Sequence, residues 1–367
     1  MFLNTPARIV VAMSGGVDSS TVAAMLHAQG HEVIGVTMQL YDHGMAVARK
    51  NACCAGQDIY DAKMVADKLN IPHYVLDYES KFKEAVIDEF ADSYMRGETP
   101  LPCVKCNQSV KFKDLLKMAQ ELGADCLATG HYVRKIQGTH GAELHTGLDS
   151  NKDQSYFLFA TTKDQLDYLQ FPLGNLTKEE TRHIANKYEL AIADKPDSQD
   201  ICFVPDGDYS KVISKLRPEA LNPGKIVHID GYELGIHNGI INFTIGQRRG
   251  LKISFSEPLY VIRIEPTTRI VYVGPESALH STEFIIKDIN WLGSDIIEGQ
   301  EMEVTVKIRS TRPASLAKIT IINTNEIKVK LLTFEKAVAP GQACVIYDDK
   351  RVLGGGWITR EAQRNYG

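Results

Sequence analysis

From Arg8 to Tyr132 the chain alternates short apolar runs with helix-length amphipathic stretches. RIVVAM from Arg8, VIGVTMQL from Val33, residues 73–78 and CLATGHY from Cys126 read as buried strands. Residues 20–29, 58–69, 82–95 and 109–122 read as helices, and Pro72 marks the break after the second. Strands separated by helices of about 10–15 residues imply a parallel sheet covered on both faces. Ligands of such sheets sit beyond the carboxyl ends of the strands. Thr177 and Glu180 form a capping box that predicts a further helix over 177–190. Beyond Pro205 the pattern changes to short alternating segments, KIVHI, YVIRIE, RIVYVG, EVTVKIR, AKITII and IKVKLL. These read as strands of small barrels or sandwiches. The expected organisation is therefore an α/β parallel-sheet domain over 1–209, a small, mainly β central domain over 210–277 and a C-terminal β-barrel over 278–367.

The bulk numbers agree with a globular chain. Of 367 residues, 44% are hydrophobic and 24% charged. No run reaches the ~20 apolar residues that cross a bilayer, and the N-terminus lacks a secretory pattern, so a cytoplasmic protein without membrane contact is expected. The formal net charge of -5 argues against general nucleic-acid binding but leaves room for a local basic face. Residues 298–367 carry eleven Lys or Arg against eight Asp or Glu, which points a weak basic excess at the C-terminal part.

After the first strand comes Ser14-Gly15-Gly16-Val17-Asp18-Ser19-Ser20, leading straight into a helix. Paired glycines permit a tight turn, and a helix start offers free N–H groups to an anion. Ser14, Ser19 and Ser20 add hydroxyls. The loop lacks the Gly-Lys-Ser/Thr ending of a Walker A loop and the third glycine of a dinucleotide fingerprint. An ordinary strand-to-helix turn is the plain alternative.

Seven cysteines, an odd number, argue against a disulfide framework and for reactive thiols or a metal. Cys103 and Cys106 stand three apart in LPCVKCNQ. Cys106 is expected just before a helix, where the helix start lowers a thiol pKa. Cys202, in ICFV, reads equally as a nucleophile or as a buried strand residue. Cys126 and Cys344 read as core. Cys53 and Cys54 are adjacent, a poor spacing for one tetrahedral ion, and read as a loop before a helix.

Ser-Gly-Gly-Val-Asp-Ser resembles the signature of the PP-loop ATP pyrophosphatases, which cleave ATP to AMP and pyrophosphate and adenylate a substrate oxygen. The ordered set SGGVDSS, TPLPCVKCNQSVKF, ATGHY, NKDQSYFL, DSQDICFVPDGDY and FTIGQRRGL closely resembles one branch, the tRNA-specific 2-thiouridylases, over nearly the whole chain. The resemblance implies an adenine-nucleotide alpha-hydrolase-like sheet domain and 2-thiolation of the wobble uridine of the glutamate, glutamine and lysine tRNAs. It implies ATP against Ala12, Met13, Ser14, Gly15, Gly16, Val17, Asp18 and Ser19, with Met38 near the adenine, Gly130 beside the nucleotide, and Asp18 helping to hold Mg2+. It further implies that Cys202 carries sulfur as a persulfide and that Cys106 is its partner, able to form a disulfide with it. The resemblance also implies that the sulfur comes from a persulfide relay protein or a cysteine desulfurase. Leu101, Pro102 and Cys103, then Lys152, Asp153 and Gln154, and finally Arg309 and Ser310, match segments that contact tRNA.

Two departures stand out. The branch usually has Asn-Pro-Asp where this chain has Leu101-Pro102-Cys103, so a thiol replaces a carboxylate proposed as general acid or base. That role passes to Cys103 or to another group, and the change creates a Cys-x-x-Cys in which Cys103 could resolve Cys106. The branch also more often has an aromatic residue where Ser310 stands. Lys152-Asp153-Gln154 reads equally as a helix cap. Gln247-Arg248-Arg249-Gly250 reads as a basic hairpin tip or a tRNA contact, and Arg309 and Arg312 as the best exposed cations of the barrel. The rival readings are another PP-loop enzyme, such as a 4-thiouridine synthase or an iron–sulfur-dependent thiolase, and a non-enzymatic RNA-binding barrel.

Overall fold

The computed structural model describes residues 6–41, 54–197, 201–204 and 207–360. Cys53 and residues 198–200 of the expected cysteine loop lie outside them, and of Cys54 only the backbone is described. The chain packs as two compact units: Met1–Val86 with Cys103–Gln199 and Lys350–Val352, and Ile87–Pro102 with Asp200–Asp349 and Leu353–Gly367.

In the first unit, β1 (Arg8–Ala12) leads into α1 (Val17–Ala28), then β2 (Glu32–Gln39), α2 (Cys54–Leu69) and β3 (His73–Asp77). The helical stretch α3, 79–95, runs from this unit into the second. The helical stretch α4, 102–121, precedes β4 (Cys126–Ala128) and the hairpin β5 (Val133–Gly138) and β6 (Gly141–Thr146). Short helices α5 (Ser155–Leu158) and α6 (Lys163–Tyr168), strand β7 (Leu169–Gln170) and helix α7 (Lys178–Lys187) complete it. The sheet order is β3-β2-β1-β4-β7, with every pair parallel. Ile9 and Val11 of β1 pack into one core with Val22 and Ala23 of α1, Val65 and Ala66 of α2 and Ala185 of α7. Val10 and Leu127, which alternate with them, are also fully buried, so both sheet faces are covered as the alternation of strands and helices requires. β1 and β4 lie side by side although four helices and two strands separate them in sequence. Their carboxyl ends mark the point where the strand order reverses, the ligand crevice of open parallel sheets.

In the second unit, α8 (Tyr209–Leu216) precedes a four-stranded sheet of β8 (Gly224–His228), β9 (Glu233–His237), β10 (Tyr260–Glu265) and β11 (Ile270–Gly274). Then β12 (His280–Trp291), β13 (Glu301–Lys307), β14 (Ser315–Asn323), β15 (Glu326–Lys336), β16 (Ala343–Asp348) and β17 (Arg351–Ile358) follow. Their order is β12-β15-β14-β13-β16-β17, and pairing of β12 with β17 closes the ring. Inward Ile286, Val306, Ile319, Val329 and Ile346 fill the barrel, and the β12–β17 pairing closes these six strands on themselves. The parallel-sheet, central β and barrel classes are those the residue patterns predict.

One of the two readings of ICFV fails, and so does the expected place of Cys106. The run ICFV is a turn rather than a strand, with Val204 N–H bonded to the Ile201 carbonyl, and Cys202 is exposed. Apolar content suggested burial, but only Phe203 and Val204 turn inward, Phe203 packing edge-on against Phe90 at 5.2 Å. Cys106 does not precede its helix. α4 begins at Pro102, whose fixed φ and missing N–H suit a first helical position, so Cys106 is already inside.

Candidate active site: a glycine loop, an ion-pair chain and a cysteine helix

The loop after β1 is held by its own residues. Ser14 N–H donates to Ser19 Oγ at 3.1 Å, the two hydroxyls lie 3.3 Å apart, and Ser19 Oγ donates to the Gly16 carbonyl at 3.4 Å. Gly15 has φ +75, and a Cβ there would lie 2.1 Å from the Asp58 carbonyl oxygen, so only glycine fits. Gly16 is the N-cap of α1 and makes no side-chain cap bond, so the opening N–H groups of the helix have no capping oxygen. That is the donor set an anion requires. Met13, Val17 and Ser19 are buried, so any ligand meets them through backbone, while Ser14 is exposed and Asp18 half-buried. Ser20 is not an available donor: it is fully buried and its hydroxyl has no partner. Met38 is half-buried near the carboxyl end of β2.

Gly130 follows β4 and touches this loop. A Cβ on it would lie 2.8 Å from Ser19 N and 3.0 Å from the Asp18 carbonyl carbon, so its lack of side chain lets the end of β4 lie against the start of α1. His131 beside it is bonded through Nδ1 to Thr129 Oγ1 at 2.9 Å and enclosed by the rings of Phe112 and Phe171. Desolvation, with Lys111 adding, pushes its pKa down to about 3, so the ring is neutral at physiological pH.

Asp18 anchors a chain of charges. Lys178 Nζ reaches its two carboxylate oxygens at 2.7 and 2.9 Å, and the Tyr132 hydroxyl donates to Oδ1 at 2.7 Å. Lys178 also pairs with Asp197 at 2.7 Å, and Asp197 takes Lys152 at 2.6 Å and Arg182 at 3.3 Å. Burial opposes ionisation of Asp197, but hydrogen bonds from Lys152 and Lys178 outweigh it and hold the carboxyl below its usual range. Burial and the Asp18 carboxylate raise the Tyr132 hydroxyl, keeping it a donor. On the other flank, Lys195 Nζ donates to the Gly15 carbonyl at 2.9 Å and to Asp58 at 2.7 Å, tying α2 to the loop. Among the described residues no group of three or more His, Cys, Asp or Glu gathers as a metal shell. A magnesium ion at Asp18 would take one protein carboxylate and complete its shell from phosphates and water.

The cysteine helix lies in the same unit. Cys106 is buried, and burial raises its pKa against the opposing Lys111 ammonium. Cys103, in the first turn of α4, reaches solvent. Desolvation of its thiol still raises the pKa, with Lys111 and its own backbone N–H acting the other way. Asn107 Nδ2 donates to the Phe157 carbonyl at 3.3 Å, fixing the helix beside α5. Cys126 and Cys344 are core, as expected; burial pushes Cys126 up to about 11.

Three segments of the chain match family models. They are the tRNA methyl transferase HUP domain over residues 7–206, the tRNA methyl transferase PRC-barrel domain over 210–275 and the Aminomethyltransferase beta-barrel domain over 281–358. The tRNA-specific 2-thiouridylase MnmA of Rickettsia felis is 72% identical over 355 residues, covering 97% of each chain. That of Rickettsia bellii is 71% identical over the same share. The chain belongs to the tRNA-specific 2-thiouridylase family. A solved 4-thiouridine synthetase–RNA complex with bound ATP overlays loosely, at TM-score 0.36 and 17% identity over 58% of this chain and 51% of that one.

Several of the residues expected to contact tRNA are engaged in the fold, while Cys103 is exposed. Leu101 is half-buried and Pro102 buried. Lys152 holds Asp197, and the Gln154 side chain accepts from Tyr132 N–H at 2.9 Å, so both border the charge chain. Asp153 Oδ1 accepts from Ser155 N–H at 3.1 Å and from Gly147 N–H at 3.0 Å, the capping role its position predicts. Arg309 is half-buried rather than exposed, with Nη2 donating to the Ala337 carbonyl at 2.8 Å; Ser310 follows in a turn. Arg312 is exposed and lies 3.5 Å from Glu335. Arg248 and Arg249 are exposed, and neither forms an ion pair among the described residues. Sequence reasoning missed Lys178, Asp197, Tyr132 and Lys195 as site residues. Only folding brings Lys178 to Asp18, 160 positions away; no spacing rule signals it.

Proposed function

We propose that this chain is an ATP-dependent tRNA 2-thiouridylase acting on the wobble uridine of glutamate, glutamine and lysine tRNAs. The observation that carries the reading is the uncapped start of α1 at the carboxyl end of β1, with Asp18 in its first turn and Gly130 packed against it. Residues 12–19, Met38 and Gly130 line the ATP site in this reading. Asp18 helps hold magnesium, whose charge offsets that of the phosphates. Lys178 then exchanges the Asp18 carboxylate for pyrophosphate oxygens while keeping Asp197.

ATP adenylates the C2 oxygen and loses pyrophosphate. The terminal sulfur of a Cys202 persulfide attacks C2. Cys106 attacks Cys202 Sγ, breaking its S–S bond, and the C2 oxygen leaves with AMP. Exposure of Cys202 suits loading from a persulfide relay protein or a cysteine desulfurase. The segments 1–209, 210–277 and 278–367 divide the labour between chemistry, linkage and tRNA backbone. Leu101, Pro102, Cys103, Lys152, Asp153, Gln154, Arg309 and Ser310 contact tRNA. No helix among the described residues is long and apolar enough to cross a membrane, and the thiol chemistry suits a reducing cytoplasm.

The test is nucleoside mass analysis of unmodified glutamate tRNA after incubation with protein, ATP, magnesium and a sulfur source. A wobble-specific gain equal to sulfur replacing oxygen, absent in Cys202→Ser, supports the reading. A methyl gain would favour the chemistry in the names of the first two family models. ATP cleavage without nucleoside change would leave a PP-loop enzyme with another substrate.

A further inference from the structure

Cys103 lies in the opening turn of α4, one helical turn from Cys106. Residues three apart share a helix face, with Cβ atoms about 5–6 Å apart. A disulfide needs about 3.8 Å, so a closure of ~1–2 Å joins them. Cys103 is the partner free to move in such a closure, because its N–H is among the first of the helix and has no intrahelical partner to lose. The two thiols differ in access: Cys103 is exposed and Cys106 buried. Lys111 acts electrostatically on both, and each thiol feels the same cation.

We propose that Cys103 is the resolving thiol of the catalytic cycle: its thiolate attacks Cys106 Sγ in the Cys106–Cys202 disulfide, moves that disulfide to Cys103–Cys106 and releases Cys202 for reloading. The proposal rests on the reaction proposed above, which leaves Cys106 and Cys202 joined after each sulfur transfer. One S–S bond forms and one breaks. The proton lost by Cys103 is matched by the one Cys202 takes up, and there is no net oxidation or reduction in the exchange. The oxidising equivalent comes from the persulfide. A small-thiol or dithiol reductant then attacks exposed Cys103 Sγ, forming a mixed disulfide and releasing Cys106; a second thiol completes the reduction. A disulfide ending at Cys103 keeps one open sulfur for that reductant, as Cys202 offered before the exchange, and leaves Cys202 free to be reloaded in the meantime. The raised basicity of Cys103 leaves little thiolate at neutral pH but makes that fraction a stronger nucleophile.

The experiment loads Cys202 with sulfur from a cysteine desulfurase and cysteine, then runs one turnover on unmodified glutamate tRNA with ATP and magnesium and no reductant. Acid quenching, alkylation and peptide mapping follow. In the wild type Cys103 and Cys106 are expected to be joined and Cys202 alkylated. In Cys103→Ser the Cys106–Cys202 bond is expected to persist, and steady-state turnover under limiting thiol falls several-fold, with excess dithiothreitol restoring most of it. A wild type that keeps Cys106–Cys202 overturns the proposal. So does a Cys103→Ser loss that dithiothreitol does not touch, which would assign Cys103 to proton transfer. If the wild type forms no thiolated nucleoside, the proposed reaction fails by itself. The exchange is then read from protein oxidised with glutathione disulfide, where Cys103–Cys106 supports it and Cys106–Cys202 overturns it.

Discussion

The two compact units carry their functional groups in opposite ways. In the first, Asp18, Lys178, Asp197 and Lys195 are paired, the glycine loop is closed by its own hydroxyls, and Cys106 is buried. In the second, Cys202 sits exposed on a turn, and Arg248 and Arg249 face solvent. A site built from interior contacts makes function and stability inseparable. Groups exposed on turns are expected to weigh less on stability, since surface substitutions rarely move it by more than about 0.5 kcal/mol.

The largest test of this contrast is Cys202→Ser. Thiolation is expected to fall to background while the urea midpoint stays that of the wild type; a large loss of stability would show that the turn is part of the core. Gly130→Ala is the counterpart in the first unit. Its methyl meets Ser19 N at 2.8 Å, so it is expected to cost about 1–3 kcal/mol and to abolish ATP cleavage together. Retained stability with lost cleavage would break the coupling of the two.

Alkylation rates grade the thiols next. Cys202 is expected to react with iodoacetamide well before Cys106, as mass mapping over time would read. Because burial raises Cys106, its rate should keep climbing above the ordinary thiol range, and Lys111→Ala should move that rise to still higher pH. Equal rates at neutral pH would remove the distinction in access. Thr177→Ala removes the oxygen that caps α7, at a cost of about 1 kcal/mol, visible as a lower melting temperature.

Acid titration probes the paired charges. The Asp197 carboxyl is held below its usual range, so its contribution to stability is complete above the unfolded-state value and is lost as pH falls through the folded one. Asp197→Asn should therefore flatten the acid limb of the urea midpoint against pH; an unchanged limb would contradict the pairing. The smallest effect is expected at the exposed arginines. If Arg248 contacts a phosphate, Arg248→Ala lowers the salt slope of tRNA binding by about 1 and leaves melting unchanged. No change in slope would leave Arg248 a solvated tip.

Local chemistry was legible where one residue type serves one local demand. Alternating runs named the strands, Thr177 and Glu180 formed the capping box, and SGGVDSS marked a loop that only glycine can turn at Gly15. Cys202 was not legible in that way. Apolar neighbours suggest burial, but whether a four-residue run extends as a strand or folds back depends on Phe203 finding Phe90. Cys106 was misplaced by one helical turn because Pro102 can end an extended segment or begin a helix.

The sequence by itself determined the order of strands and helices, the loop able to receive an anion and the spacing of the two cysteines in α4, because backbone geometry and helical period act over a few residues. Only the tertiary structure decided which charge meets Asp18, that Gly130 lies against Ser19, and that Cys106 is buried while Cys103 is exposed. Those outcomes follow from how the elements pack: β1 and β4, far apart in sequence, become neighbours, and a parallel sheet gathers its loops at one end.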